Sequence, residues 1–315
     1  MAGGGEFFSK ARMKKRRAAL ETRRGPHIAD WQKITQVIRP QRGQYLVSGD
    51  SEASKKPTSM VNSTPAVASR VLRAGMIGGA SSPAYEWFKL QLDDGEMMKW
   101  GPAKVALEQR ERILYAYLAA SNFYTQLQVL YGDAADFGTS VGIIDEHVRD
   151  GFVAKLYSPG QYFIDVDESG DIDTIYADIT LTVIQVMSRW KDTASQKVKD
   201  LYLQGEYNKP VRLLLVLEPN QTEQETRGDW NGKPFVKFIF EWDNELEGDK
   251  GYLEVSGYDD WPGFDLRWDI DSGNIWGSGP GPLASAAQLR SKPLSSVTRK
   301  GSKRPLSPRL LPQSF

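Results

Sequence analysis

Apolar positions follow two different periods along this chain. Up to about residue 138 they recur at helical spacing, and beyond Gly138 they fall into short runs and alternations that read as strands. Residues 6–24 predict a helix with Phe7, Phe8, Ala11, Ala18 and Leu20 set among charges, ended by Gly25-Pro26. A second helix is predicted from Asp30, which can N-cap Trp31, Ile34, Val37 and Ile38, up to Pro40. The polar residues 41–60 predict an exposed loop. A third helix starts at Thr64, with Pro65 in its first turn and Val67, Val71, Leu72 and Met76 along it, and ends at Gly78-Gly79. Ser81-Ser82-Pro83 then turns into a predicted aromatic strand over 85–92. A long helix is predicted over 102–135, with a break near Ser121-Asn122.

Past Gly138, strands are predicted over 140–146 and 152–158, joined at Arg149-Asp150-Gly151. A second hairpin pairs 161–166 with 172–182, a helix covers 183–190 and the polar stretch after it, and further strands cover 211–218, 235–242 and 251–255. Turns are expected at Asn231-Gly232 and over 248–251. Helices first and mainly antiparallel strands afterwards predict an α+β fold. Three parts follow: a helical part over 1–138, an acidic β-rich part over 139–281, and a tail over 282–315. The tail holds five Pro, seven Ser and seven Lys/Arg with no acid, too little apolar content for a core, and reads as disordered.

Composition narrows the chemistry. There are no cysteines, which excludes disulfides, thiolate nucleophiles and cysteine zinc sites, and only two histidines, His27 and His147. No apolar run is long enough to cross a bilayer. The net charge of zero conceals a pattern: residues 1–24 carry eight Lys/Arg against two Glu, and residues 133–271 carry 29 Asp/Glu against 13 Lys/Arg. Lys10, Arg12, Lys14, Lys15, Arg16, Arg17, Arg23 and Arg24 are therefore candidates for contact with DNA phosphates, an anionic membrane or an acidic patch of a neighbouring subunit, against a merely solvated helix face.

Other candidates are weaker. Asp165-Val-Asp167-Glu-Ser-Gly170-Asp171-Ile-Asp173 has the opening spacing of a calcium loop, but Tyr176 stands where a bidentate Glu is needed and the flanks are strands, so it reads as an acidic hairpin. Gly75, Gly78 and Gly79 lack the following Gly-Lys-Ser/Thr of a phosphate loop and read as a helix end. A glycosidase needs two opposed carboxylates over a cleft, and the many acids here single out no pair. The nine tryptophans, the Trp87-Phe88 pair among them, read as core or subunit interface. No catalytic residue, metal ligand or cofactor site is expected.

Several landmarks, taken in order, resemble one family. They are Trp31…Ile34…Val37-Ile38-Arg39-Pro40-Gln-Arg-Gly43, Ser63-Thr64-Pro65-Ala66, Ala74-Gly75-Met76-Ile-Gly78-Gly79, and Ser82-Pro83-Ala-Tyr85-Glu-Trp87-Phe88-Lys-Leu90. Ser121-Asn122-Phe123-Tyr124, Asp133-Ala-Ala-Asp136-Phe137-Gly138-Thr139, Tyr162-Phe163-Ile164, Gly257-Tyr258…Pro262-Gly263-Phe264…Arg267-Trp268 and Trp276-Gly277-Ser278-Gly279-Pro280-Gly281 follow. Over residues 25–281 the chain resembles the head-to-tail connector, or portal, proteins of short-tailed bacteriophages. The resemblance implies a non-enzymatic subunit of a dodecameric ring at one capsid vertex, assembled in the host cytoplasm, through which viral DNA is packaged and ejected. Its implied partners are other copies of itself, capsid and scaffolding proteins, the terminase, tail adaptor proteins and the passing double-stranded DNA, with no membrane and no cofactor. Two other readings remain: a DNA-binding accessory protein using its basic ends, and a hydrolase on the acidic β region.

The chain departs from the family pattern at its end. There, the Gly-Pro-Gly near 281 leads into a helix entering the stem. Here acids stop at Asp271 and the composition turns basic and Pro/Ser-rich. Such a break is of the kind a lost reading frame leaves, and a frame change near 282 is expected, with a genuine short variant as the alternative.

Overall fold

The computed structural model describes residues 9–42, 45–46, 63–147, 151–220, 230–246, 251–271 and 273–290. The α+β plan holds, with helices leading and antiparallel sheets following. The first helix corrects the sequence expectation. α1 (Lys10–Val37) is one continuous helix of 28 residues that runs straight through Gly25-Pro26. Ser9 caps it, accepting from the Arg12 N–H at 3.3 Å, so Asp30 lies inside the helix and pairs with Lys33 instead. A mid-helix proline costs about 3 kcal/mol. Anchors on both sides of Pro26 offset it: Arg24 donates to the carbonyls of Gly160 and Tyr162 at 2.6 and 2.9 Å, and Trp31 and Ile34 are buried.

α2 (Thr64–Ala80) forms as expected but continues through Gly78-Gly79 to Ala80, and no residue of it is buried. The strand expected over 85–92 is absent. That segment is extended yet pairs with side chains rather than a strand: the Tyr115 hydroxyl accepts from the Phe88 N–H at 2.8 Å and donates to its carbonyl at 3.0 Å, and Glu111 accepts from the Leu90 N–H at 2.6 Å. With its backbone groups so satisfied, no ladder partner is required. The expected break is real: α3 (Gly101–Ala120) and α4 (Phe123–Phe137) are separate helices. Asn122 fills the gap like a strand residue, exchanging two hydrogen bonds of 2.8 and 2.9 Å with the backbone of Ala154. Gly138, at φ 84°, ends α4 in the left-handed region and lies directly against the Gly277 carbonyl, which leaves no room for a side chain.

Two antiparallel sheets follow. The smaller has the order β2-β1-β8, from β1 (Thr139–His147), β2 (Gly151–Leu156) and β8 (Gly263–Arg267). The larger is a meander of β3 (Tyr162–Val166), β4 (Ile172–Thr182), β5 (Pro210–Pro219), β6 (Phe235–Glu241) and β7 (Glu254–Tyr258). α5 (Val183–Trp190) and α6 (Gln196–Leu203) sit between β4 and β5, the first closed by a Thr182–Gln185 capping box. β7 begins later than expected, and β8 was not foreseen. The hairpin turns expected at 149–150 and 248–250 lie outside the described residues. The stretch from 282, expected to hold no structure, opens with α7 (Gly281–Arg290), and residues 291–315 lie outside the described residues.

Strand alternation sorts the core of the large sheet onto two faces. Ile175, Ala177, Leu213, Leu215, Leu217 and Ile239 join Trp31, Ile34, Phe137, Val186 and Trp276 on one face. Phe163, Tyr176, Leu214, Val216, Phe238 and Phe240 join Met13 and Leu20 on the other. α1 thus serves both faces, its first half on one and its second half on the other, passing the edge strand β3 at Arg24.

Candidate interaction surfaces

The basic face of α1 is turned inward, onto its own chain. Glu218, on β5 and 1% exposed, accepts from Arg12 at 2.8 Å, from Arg16 at 3.0 Å and from the Tyr176 hydroxyl at 2.8 Å. Arg17 forks onto Asp178 and lies over the Phe163 ring. Burial alone would pull the Arg17 guanidinium down, but Asp178 outweighs it and leaves it raised. Lys10 is only 2% exposed; its ammonium donates to the Asn244 carbonyl at 3.0 Å and sits over Phe240 and Tyr252. Lys14 lies over Trp242, Arg24 over Phe163, and Arg23 reaches Asp165 at 2.8 Å. Lys15 is exposed. The structure therefore gathers seven of the eight sequence candidates onto acids, carbonyls and rings of the large sheet, an arrangement that helical periodicity could not reveal because the partners lie more than a hundred residues away.

A second charged network joins the two sheets, and the sequence reading missed it. Lys237 on β6, 3% exposed, meets Asp145 of β1 at 2.5 Å and Glu254 of β7 at 2.9 Å. Lys155 of β2 adds a contact to Asp145 at 3.1 Å, Arg189 and the Trp190 indole N–H reach Glu254, and Tyr258 donates to Asp145. Burial alone would raise the Asp145 carboxyl; Lys237 and then Lys155 outweigh it and hold it at about 2. The same opposition leaves Lys237 raised and Glu254 lowered. A lone lysine in the apolar run of β6 was the available signal.

The third cluster lies where α1, α2 and α4 meet. Asp133 and Asp136, one helical turn apart on α4 and nearly sealed, receive Arg39, Arg42 and the Ser69 hydroxyl. Arg39 donates to Asp133 at 2.6 Å and Arg42 donates to Ser158 at 3.1 Å. The Arg73 guanidinium joins them above Gly132, where an added Cβ would stand 2.8 Å from Arg39 Nη1 and 3.3 Å from Arg73 Nη1. Burial raises the Asp136 carboxyl despite Ser69 and Arg39. Arg39, Asp133 and Asp136 all stood among the sequence landmarks, and the i, i+3 acids on an otherwise apolar helix were the clue to a shared buried partner.

Several large apolar side chains stand exposed outside these networks. α2 exposes Val67 and Val71, the segment after it Tyr85, Met97 and Trp100, and α3 Val105, Ile113, Leu114 and Tyr117. Trp100 is 58% exposed and Val71 66%. Trp87 is instead packed, stacking on Phe123 with its indole N–H toward the Tyr124 hydroxyl. The acidic motif at 165–173 is a β3–β4 hairpin turned at Gly170, φ 89°, with Asp165 paired to arginines of α1. Gly75, Gly78 and Gly79 lie within α2.

Arginines of α1 are thus paired within the chain, while α2 and α3 leave apolar side chains exposed. The model of the bacteriophage head to tail connecting protein family matches residues 10–299, past the composition break at 282, and the chain belongs to that family. It is similar to the portal protein of Salmonella phage epsilon15, at 29% identity over 303 residues, covering 94% of this chain and 54% of that protein. It is also similar to the probable portal protein of Bordetella phage BPP-1, at 28% identity over 282 residues, covering 87% of this chain and 50% of that one. The chain spans about half the length of the curated relatives it matches.

Proposed function

We propose that this chain is a structural subunit of a phage portal, acting by self-association and not by catalysis. The family match over residues 10–299 is the observation that carries this reading. The exposed apolar side chains of α2 and α3 support it, because a ring needs a heterologous contact repeated around its axis, and these side chains are left uncovered by the chain itself. In this reading the assembled ring stands at one capsid vertex of the virion, assembled in the host cytoplasm. Viral DNA passes through it, and capsid, scaffolding, terminase and adaptor proteins dock around it. The α1 arginines act as internal struts, so DNA affinity is low.

Sedimentation velocity and negative-stain microscopy of the purified chain test the proposal. Concentration-dependent closed rings are expected. A chain that stays monomeric at high concentration and binds duplex DNA tightly in a salt-dependent way would contradict it and favour a DNA-binding accessory role.

A further inference from the structure

The extended segment over 85–92 has two backbone edges, and only one is closed. Along an extended chain, the N–H and C=O groups of successive residues point to opposite edges. On the inner edge, the N–H groups of Phe88, Leu90 and Leu92 donate to the Tyr115 hydroxyl, to Glu111 and to the Met98 sulfur. On the outer edge, no hydrogen bond reaches the backbone of Trp87, Lys89 or Gln91 among the described residues. Trp87 is half-buried, and Lys89 and Gln91 are exposed. The outer strand of the large sheet is treated differently: α1 passes over β3, and Arg24 donates to the carbonyls of Gly160 and Tyr162. A strand edge left open in this way is a template for an added strand. Glu86, Lys89 and Asp93 also stand exposed along the segment, and no ion pair reaches them among the described residues.

We propose that the outer edge of 85–92 is a docking site for an extended segment of another polypeptide, which adds a strand through the backbone of Trp87, Lys89 and Gln91. The backbone selects the class of occupant. Donors and acceptors side by side are matched by a second extended chain, whereas a phosphodiester brings acceptors alone and would meet two carboxylates. Charge selects its side chains: an acid opposite Lys89, bases toward Glu86 and Asp93, and β-branched residues opposite Trp87 and Gln91. The site belongs to the single subunit and needs no ring.

The probe is a blocked peptide, Lys-Thr-Val-Thr-Glu-Thr-Val-Thr-Lys, whose symmetric sequence serves either strand direction. Residue-resolved hydrogen exchange of the full chain and fluorescence anisotropy of the labelled peptide read its binding. In the free chain, the Trp87, Lys89 and Gln91 amides should exchange fast and those of Phe88 and Leu90 slowly. Saturating peptide should slow the first three by at least about tenfold. Lys89→Pro removes the central outward N–H without taking a hydrogen bond from the fold, and should weaken binding at least about tenfold. Peptides N-methylated at Val and Glu, or at Thr, leave the protein untouched, and one of the two should lose binding. Lys89→Glu should weaken binding, and a peptide with Lys at its centre should restore it. Unchanged exchange at the three amides, equal binding to Lys89→Pro and by both methylated peptides, or protection confined to another edge overturns the inference. Outer amides already slow in the free monomer overturn it as well. Amides that turn slow on assembly without peptide would make the occupant a second copy, and would overturn it too.

Discussion

The large sheet with α1 and the layer of α2 and α3 differ in how they satisfy their side chains. On the sheet, the strands bury residues on both faces, and seven of the eight cations at the start of α1 find acids, carbonyls or rings within the chain. In the helical layer, α2 buries nothing, α3 buries only Ala103, Leu107 and Glu111, and valine, isoleucine, tyrosine and tryptophan face outward. Both regions are apolar enough to drive burial. The sheet completes itself, whereas α2 and α3 leave apolar side chains exposed, the surface proposed to meet a neighbouring copy. Four arginines of α1, Arg12, Arg16, Arg17 and Arg23, are paired with acids of the large sheet.

The largest expected effect lies in the sheet. Phe240, fully buried, should cost about 3–5 kcal/mol of stability when changed to alanine, read by chemical denaturation. A loss under 1 kcal/mol would mean the sheet is less closed than described. Glu218→Ala strands Arg12 and Arg16 and should cost about 3 kcal/mol, with Tyr176 losing its acceptor as well. Double-mutant cycles with Arg16→Ala should show coupling; simple additivity would break the strut picture.

Acid should act next in size, through the network joining the sheets. Asp145 is held at about 2, below its ordinary value, so the stability it lends is complete above pH 4–5 and lost as pH falls toward 2. That amounts to about 2 kcal/mol. Glu254, also lowered, is lost in the same direction, whereas the raised Lys237 gives up its share only in strong alkali. Asp145→Asn should flatten the acid dependence between pH 5 and 2; an unchanged slope would place the acid-labile groups elsewhere. The smallest effect is expected in the helical layer: Ile113→Ser should change the stability of the isolated subunit by no more than about 0.5 kcal/mol while weakening assembly.

Local pattern made β1 to β6 legible as short apolar runs and alternations bounded by turn residues, and the break between α3 and α4 showed at Ser121-Asn122. Errors arose where distant groups decided. Pro26 signalled a helix end, but Arg24 on the edge of β3 and the buried Trp31 carried α1 through it. Residues 85–92 looked like a strand because their pattern is that of an extended chain, and nothing local revealed that Tyr115 and Glu111 would take the place of a neighbour. Of the candidate surfaces, the cations of α1 were visible as residues but not by destination. The carboxylates that receive them lie on strands far along the chain, and ion pairs of that range leave no periodic trace.

Hydroxyl-radical footprinting of monomeric and assembled chain tests the central contrast most directly. Assembly is expected to protect Val71, Ile113 and Tyr117 of the helical layer and to leave Leu203 and Leu246, which are also exposed, reactive. Protection of Leu203 and Leu246 with the helical layer unchanged would contradict it.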